Sequence, residues 1–289
     1  MNFENKKIKR TARRRPNITI KNRLAASPAR PMTTYLFDAT FEGLLTSVFD
    51  FYDLKPESVR VIAANGYEPA LLDVTHTVIS DEEKARRVWD GLKKKLSGGW
   101  PERIFTCFLS ERAETFQDIF DFIRYIFDNP KGAEVNFGNR AVIALTKMEK
   151  SVSRERHRMK AFTRFQQTAD GIFYAPVEPD FNVLPLIASF FKNRYADQQW
   201  IIYDVRRKYG LFYDLNEISE IRFDEAPELK AQTTFLQENA LNEKEELYSL
   251  LWADYFKSTN IPARKNLKLH IRHVPKRYWK FLTEKKGVN

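Results

Sequence analysis

Apolar residues recur every three or four positions over much of the first half of the chain, which is the spacing of one buried helical face. The acidic residues after Ser80 are typical of a helix start with Ser80 as N-cap, and Gly98-Gly99 is typical of a helix end. The pattern predicts four helices and three short strands. The helices are expected at 41–54, 81–97, 113–128 and 139–164, and the strands near 34–38, 59–63 and 104–108.

The pattern changes after residue 164, where shorter runs rich in aromatic and β-branched residues alternate with turn residues. Asp170-Gly171 separates two such runs and is a strong hairpin signal. The order strand, strand, helix, strand, strand predicts a four-stranded antiparallel ββαββ unit with the helix across one face. The strands are expected at 164–169, 172–177, 200–204 and 210–213, and the helix at 181–195.

These elements indicate an α+β fold with a helical first half and a basic C-terminal segment. We expect a single domain over 32–289, mostly helical over 32–162 and containing the sheet and the basic C-terminus over 163–289. A further helix is predicted at about 241–257. Its inward residues are expected to be Leu247, Leu250, Leu251 and Tyr255.

The net charge of +10 comes largely from the first 31 residues, which carry ten Lys or Arg against the single acid Glu4. This segment lacks hydrophobic periodicity, so it is predicted to be disordered. Two interpretations remain open: a basic arm that holds nucleic acid, or translated upstream sequence with the true start at Met32.

The remaining charges are unevenly distributed along the chain. Residues 214–246 carry ten acids and three cations, whereas 257–286 carry ten cations and one acid. Aromatic rings are interleaved with these C-terminal cations, and such a mixture suits a phosphate-rich partner. Two interpretations of the rings remain open: they stack on bases, or they anchor the segment to the core.

The sequence lacks the features that usually identify several classes of protein. No apolar run approaches the roughly 20 residues that span a bilayer, so no membrane partner is expected and a cytoplasmic location is predicted. Cys107 is the single cysteine and is expected to be a buried strand thiol, which leaves no disulfide framework or zinc cluster. The motifs of ATPases, dinucleotide enzymes and zinc proteases do not occur in the sequence.

Five motifs spread over 32–289 resemble a bacterial family of proteins linked to DNA metabolism and DNA repair. They are Tyr35-Leu36-Phe37-Asp38 with Phe41-Glu42-Gly43; Arg154-Glu155-Arg156-His157-Arg158-Met159-Lys160-Ala161-Phe162-x-Arg164-Phe165; Ala169-Asp170-Gly171 with Tyr174-Ala175-Pro176 and Glu178-Pro179-Asp180; Trp200-Ile201-Ile202-Tyr203-Asp204-x-Arg206-Arg207; and Tyr255-Phe256-Lys257-Ser258 with Arg264-x-Asn266, His270 and His273-x-Pro275-x-Arg277-Tyr278-Trp279. The last motif is the most specific.

Members of that family resemble partners of a radical-SAM DNA repair protein, and some resemble an appendage of uracil-DNA glycosylase-like proteins. The resemblance implies a DNA context and a radical-SAM repair protein as partner. It implies no reaction, because the family has no catalytic residues or mechanism to carry over.

Candidate phosphate contacts lie in three segments that are distant in sequence. Arg154 and Arg158 are four apart on one helix, and Arg206 and Arg207 lie at a hairpin tip. The C-terminal set adds two rings that could stack on bases. That set is Lys257, Arg264, Lys265, Lys268, His270, Arg272, His273, Lys276, Arg277, Tyr278 and Trp279.

Catalytic candidates are weaker, and whether the protein is an enzyme stays open. Glu155 and His157 could perform acid-base chemistry, but residues two apart lie on different helical faces. A magnesium cluster of Asp38, Asp170, Asp180 and Asp204 is the other enzymatic alternative. No resident metal or cofactor is expected, because Lys268 and Arg272 oppose a cation beside His270 and His273.

The sequence therefore predicts a DNA-binding accessory protein in DNA repair or modification that acts with a catalytic partner. Single-stranded or damaged DNA is the expected ligand, and the acidic segment 214–246 is a candidate docking surface for the partner. One alternative is a metal-dependent or acid-base enzyme on nucleic acid. The other is a protein–protein adaptor that does not contact DNA.

Overall fold

The computed structural model describes residues 32–71, 73–223, 248, 250–251 and 271–285. The helices are α1 Phe41–Leu54, α2 Glu82–Lys95, α3 Trp100–Phe108, α4 Ala113–Asp128, α5 Arg140–Phe162 and α6 Leu184–Arg194. The strands are β1 Thr33–Phe37, β2 Val59–Ala63, β3 Val74–Thr77, β4 Gln166–Gln167, β5 Phe173–Val177, β6 Trp200–Asp204, β7 Tyr209–Tyr213 and β8 Ile218–Ile221. A 3₁₀ helix, Lys276–Phe281, lies near the end of the described chain.

The α+β class and the helical first half are confirmed. A three-stranded parallel sheet of order β2-β1-β3 packs with α1, α2, α3 and α4. The predicted helices at 41–54 and 113–128 match the observed bounds, because their apolar faces are continuous and each is followed by a breaking or capping residue. The sequence did not predict β3 or α3.

The strand predicted near 104–108 is wrong, since Cys107 lies on α3. Pro101 occupies the first turn of this helix, where its missing N–H costs nothing. Trp100, Ile104 and Cys107 are buried at helical spacing. A short apolar run suits either a buried strand or a buried helix, and here the helical packing decides. The burial of the thiol is confirmed, and it raises the pKa of Cys107 to about 12.

The second sheet differs from the predicted four-stranded antiparallel unit in two respects. It has five strands in the order β4-β5-β6-β7-β8, because a strand at Ile218–Ile221 extends it. The β5–β6 pair is parallel, because the chain crosses over through α6 before it returns to the sheet. The predicted hairpin at Asp170-Gly171 is confirmed, but its turn begins at Thr168, whose carbonyl accepts from the Gly171 N–H at 2.9 Å, and Gly171 has φ +84°.

Helix α5 connects the two hydrophobic cores. Its first half buries Val142 and Leu145 in the first core, and its second half buries Val152 and Met159 in the second core with β5, β6, β7 and α6. At about 1.5 Å per residue, a helix of 23 residues is about 34 Å long and can reach both. The expectation of one domain over 32–289 stays a prediction.

Two smaller predictions are wrong. The N-cap of α2 is Asp81, whose side chain accepts a hydrogen bond from the Lys84 N–H, and not Ser80. Leu250 and Leu251 are helical but exposed rather than inward, while Leu247 and Tyr255 lie outside the described residues. Across the described ranges, no helix is both long and apolar enough to cross a membrane.

Candidate nucleic-acid interface

A cleft of about 290 Å³ lies between the sheet of the second core and the 3₁₀ helix. Four cations and two carboxylates line it. They are Arg206, Lys276, Arg277 and Lys280 with Glu178 and Asp180. The loop after β5 supplies the acids, the β6–β7 turn supplies Arg206, and the 3₁₀ helix supplies the other three cations. Residues from three separate parts of the sequence therefore share one charged surface.

Glu155 fastens this surface to the core. Its side chain is buried, and the Tyr278 hydroxyl lies 2.6 Å from both carboxylate oxygens and donates to them. Arg277 Nη2 donates to the same carboxylate at 3.0 Å, and so does the backbone N–H of Asp180 at 3.0 Å. Arg158 adds an ion pair at 3.5 Å. A buried carboxylate is tolerated only with such partners, so Glu155 fixes the 3₁₀ helix against α5.

Tyr278 is a core residue in this arrangement. Its ring is buried and packs on Phe162 with centroids 5.3 Å apart. Burial raises the pKa of Tyr278 well above its usual range, and the hydrogen bond to Glu155 adds to the shift. The hydroxyl therefore stays protonated and donates to the carboxylate. The ring that was expected to stack on a base lies inside the second core.

Asp204 and Arg207 form a second buried unit at the β6–β7 turn. Asp204 is fully buried, and its Oδ1 accepts from the backbone N–H groups of Arg206 and Arg207 at 3.0 Å each. The Arg207 guanidinium donates to Asp204 at 2.8 Å, to Glu111 at 2.7 Å and to the Pro179 carbonyl at 3.1 Å. Only about a tenth of the Arg207 side chain is exposed. This arginine therefore closes the turn against the α3–α4 loop.

Arg206 and Lys276 have a different environment. Both side chains are exposed, and neither forms an ion pair with any residue that the structure describes. The ammonium of Lys276 lies 5.8 Å from the centroid of Trp279. Their donors are thus open to a ligand in the cleft.

The other two cations of the cleft are paired with its acids. Arg277 lies 2.6 Å from an Asp180 carboxylate oxygen, and Lys280 forms an ion pair with Glu178. All four side chains are at least one third exposed. Exposed pairs of this kind contribute little to stability and exchange readily with ions from solution.

The remaining predicted contacts lie apart from the cleft or outside the described chain. Arg154, Arg272 and His273 are exposed, and Trp279 is partly buried with its Nε1–H donating to the Val274 carbonyl at 3.0 Å. Five residues fall outside the described residues. They are Lys257, Arg264, Lys265, Lys268 and His270.

The catalytic candidates do not form a reactive group. Glu155 is buried and His157 is exposed, as expected for positions on different faces of α5. The carboxylate oxygens of Asp204 and Glu155 accept hydrogen bonds from neighbouring residues. Both carboxylates are therefore accounted for by structural roles.

The four aspartates proposed for magnesium do not converge. Asp38 accepts from Thr40 and Ser80 at the end of β1, whereas Asp170 lies in the exposed β4–β5 turn. Within the described ranges, no group of three or more His, Cys, Asp or Glu is placed to hold a metal ion.

A larger cleft, of about 560 Å³, lies at the end of β2 between the first turns of α4 and α5. Arg60 and Arg140 line it together with Glu114, Asp118 and Asp121. Burial raises the pKa of Asp118, although Arg140 opposes the shift. Gln117 bridges this cleft to the edge strand, since its Oε1 accepts from the Val61 N–H at 2.8 Å. No residue predicted from the sequence as a binding site lies here.

Sequence reasoning did not place Glu178 and Asp180 beside the cations of the smaller cleft. Asp180 was proposed as a magnesium ligand, Glu178 was noticed only as part of a motif, and Lys280 only as part of a basic run. The available signal was the pair of carboxylates on either side of Pro179, directly after a buried strand. Local sequence could not pair them with cations about a hundred positions away.

A family model for a domain of unknown function, DUF4130, matches residues 113–284, which is more than half of the chain. Neither the curated proteins nor the solved structures contain a match to this chain. The matched region includes α4, all of α5, the five-stranded sheet and the cleft.

Proposed function

The chain belongs to the DUF4130 family, and from that premise we propose that it is a DNA-binding accessory protein in DNA repair or modification that acts with a catalytic partner. One observation carries this proposal. Basic residues of α5, of the β6–β7 turn and of the C-terminal 3₁₀ helix meet around Glu155 and the cleft.

The chemistry of the cleft suits a phosphate backbone. Lys and Arg neutralise phosphates and release counterions, which supplies most of the affinity of sequence-independent DNA binding. Arg206 and Lys276 have no ion pair among the described residues, so contact with a phosphate would cost no existing pair. No aromatic residue of the described chain lines the cleft, which favours contact with phosphate over contact with a base.

The buried unit around Glu155 supports a binding role in a second way. Glu155 and Tyr278 hold the guanidinium of Arg277 in place before any ligand arrives, so little conformational entropy is lost on binding. Cations that are held in place before the ligand arrives are suited to binding it. The saturated hydrogen bonding of Glu155 and Asp204 fits an accessory protein better than an acid-base enzyme.

The resemblance to partners of a radical-SAM repair protein supports such a protein as the catalytic partner. The acidic segment 214–246 is the proposed docking surface, of which residues 214–223 are described. Glu217 and Glu220 are exposed there, at the edge of the five-stranded sheet. Reversing these two charges should weaken the partner complex without changing DNA affinity.

The test of DNA binding is fluorescence anisotropy with labelled single-stranded, duplex and uracil-containing DNA, using the full chain across a salt series. The variant is Arg206→Gln with Lys276→Gln. Each phosphate contact contributes about 0.7 (single strand) to 0.9 (duplex) to the slope of log affinity against log salt. The variant should therefore bind more weakly, and its slope should be shallower by about 1.4 to 1.8.

The matched control is Arg86→Gln with Lys94→Gln, which removes one exposed arginine and one exposed lysine from α2 in the first core. An equal loss in both variants would mean that net charge alone attracts DNA. If the wild-type protein fails to bind any of these DNAs at low salt, the adaptor interpretation replaces this proposal. A requirement for a divalent metal would favour the enzyme.

A further inference from the structure

Given the proposed DNA binding, we infer that a backbone phosphate of the bound strand replaces the Asp180 carboxylate on Arg277, so that Asp180 competes with DNA for the cleft. Asp180 is then a negative regulator of the site, and Arg206 and Lys276 make the first contact. The ligand recognised at this point is a phosphodiester group.

The guanidinium of Arg277 contacts its neighbours in the described chain through one of its three nitrogen atoms. The Nη2 atom contacts Glu155, Asp180 and the Tyr278 hydroxyl. Within the part of the chain that the structure describes, Nη1 and Nε make no such contact. A phosphate can approach the planar guanidinium through two donors at once, which a single carboxylate oxygen on Nη2 does not use.

The two carboxylates on Arg277 differ in how easily they leave. The Glu155 side chain is 2% exposed and the Asp180 side chain is 45% exposed. A buried carboxylate that loses its cation is left as an unpaired charge in the core, which is costly. A half-exposed carboxylate can instead rotate toward the solvent at little cost. Glu155 therefore stays on Arg277 when the ligand binds, and Asp180 is the group that leaves.

The backbone of Asp180 does not have to move during this exchange. Its N–H donates to Glu155 Oε1 at 3.0 Å, and its carbonyl lies 3.4 Å from Arg207 Nη2. Only a side-chain rotation is needed to expose Arg277. The exchange swaps one singly charged anion for another, so the charge balance around the buried Glu155 is preserved.

Lys280 and Glu178 form a second exposed pair on the same cleft. With both pairs closed, two of the four cations in the cleft are neutralised by the protein itself. Affinity for DNA should thus be lower than the number of cations suggests, and weak intrinsic binding leaves room for a partner to increase it.

The experiment compares Asp180→Asn with Glu220→Gln in the full chain, by anisotropy with a labelled single strand across a salt series. Glu220 is the matched control because its carboxylate pairs with exposed Arg222, 3.1 Å away on the far edge of the sheet. Each variant removes one exposed carboxylate from an arginine. Asp180→Asn should bind DNA about two- to fivefold more tightly, the range expected for an exposed ion pair.

The salt dependence provides a second measurement. In the wild-type protein the displaced Asp180 carboxylate takes up a cation from solution, which offsets the cation that the bound phosphate releases. In Asp180→Asn no carboxylate is displaced, so the slope should steepen by up to about 0.7 for a single strand. A strand of abasic sites should show the same gain, because the contact is to phosphate.

The possible outcomes separate this inference from the proposed function. Tighter binding in Asp180→Asn but not in Glu220→Gln supports the exchange. Equal gains in both variants, or no gain in Asp180→Asn while the wild-type protein binds DNA, overturn the exchange and leave the proposed function standing. Absence of DNA binding by all three proteins overturns the proposed function as well.

Discussion

At the scale of single residues, Glu155 is the group on which the C-terminal part of the chain depends. It accepts from Tyr278, Arg277 and the backbone of Asp180, whereas its neighbour Arg154 is exposed. An acid and a cation that are adjacent in sequence thus have opposite environments. The sequence marked both as site residues, because charge type alone carries no information about burial.

Replacing Glu155 with Ala should lower the free energy of unfolding by about 2–4 kcal/mol. The substitution leaves the Tyr278 hydroxyl and the Asp180 N–H without their acceptor and removes the buried one of the two carboxylates on Arg277. Urea denaturation followed by circular dichroism measures the change. Arg154→Ala is the control and should stay within about 0.5 kcal/mol of the wild type. Similar losses in both variants would show that the network contributes no special stability.

At the scale of elements, amphipathic periodicity and breakers located most helices correctly. The first residue of α2 was not located correctly, because side-chain geometry selects the residue that caps a helix. Asp81 turns its carboxylate to the Lys84 N–H, while the Ser80 hydroxyl donates to Asp38 at 2.8 Å. Both residue types are good caps, so the sequence could not choose between adjacent candidates.

The cap assignment makes a prediction about α2. Asp81→Ala should lower the free energy of unfolding by about 1 kcal/mol, since the first turn loses both an acceptor and a negative charge. Ser80→Ala should cost roughly half of that or less, because the hydroxyl makes an exposed hydrogen bond. Thermal melts of the two variants compare them directly. The reverse order of stability would return the cap to Ser80.

At the scale of the whole molecule, two cores are joined by α5 and by contacts between loops. The backbone N–H of Asn182 donates to the Leu109 carbonyl at 2.9 Å, and Glu111 pairs with Arg207 at 2.7 Å. Tyrosine hydroxyls are buried in both cores. Burial raises the pKa of Tyr35 to about 12 and shifts the pKa of Tyr174, Tyr209 and Tyr278 upward as well.

These shifts predict alkaline unfolding. A tyrosine whose pKa is higher in the folded state contributes stability that is fully present below its unfolded pKa, near 10, and lost as pH rises toward the folded value. The protein should therefore lose stability above about pH 10. Tyrosinate absorbance and circular dichroism should change together in a pH titration. Tyr174→Phe should move the midpoint to higher pH, because one buried ionisable group is removed, and an unchanged midpoint would contradict this explanation.

Part of the cleft was predictable. Arg206, Lys276 and Arg277 stood out by their charge and their position near turns or aromatic residues. The pairing of Asp180 and Glu178 with cations was not predictable, since their partners lie about a hundred positions further along the chain. Tyr278 was a candidate for stacking on a base and lies in the core. Composition alone cannot distinguish a ring that anchors a segment from a ring that stacks on a base.

The sequence by itself determined the features that depend on local interactions. Helical periodicity and the hairpin at Asp170-Gly171 follow from backbone sterics and neighbouring side chains. Only the tertiary structure decided that β5 and β6 run parallel, that β1 lies between β2 and β3, and that Glu155 meets Arg277 across 122 positions. Strand order depends on which surfaces, distant in sequence, are buried against each other. A buried charge is stable only where the fold places a partner beside it, and that partner need not be near in sequence.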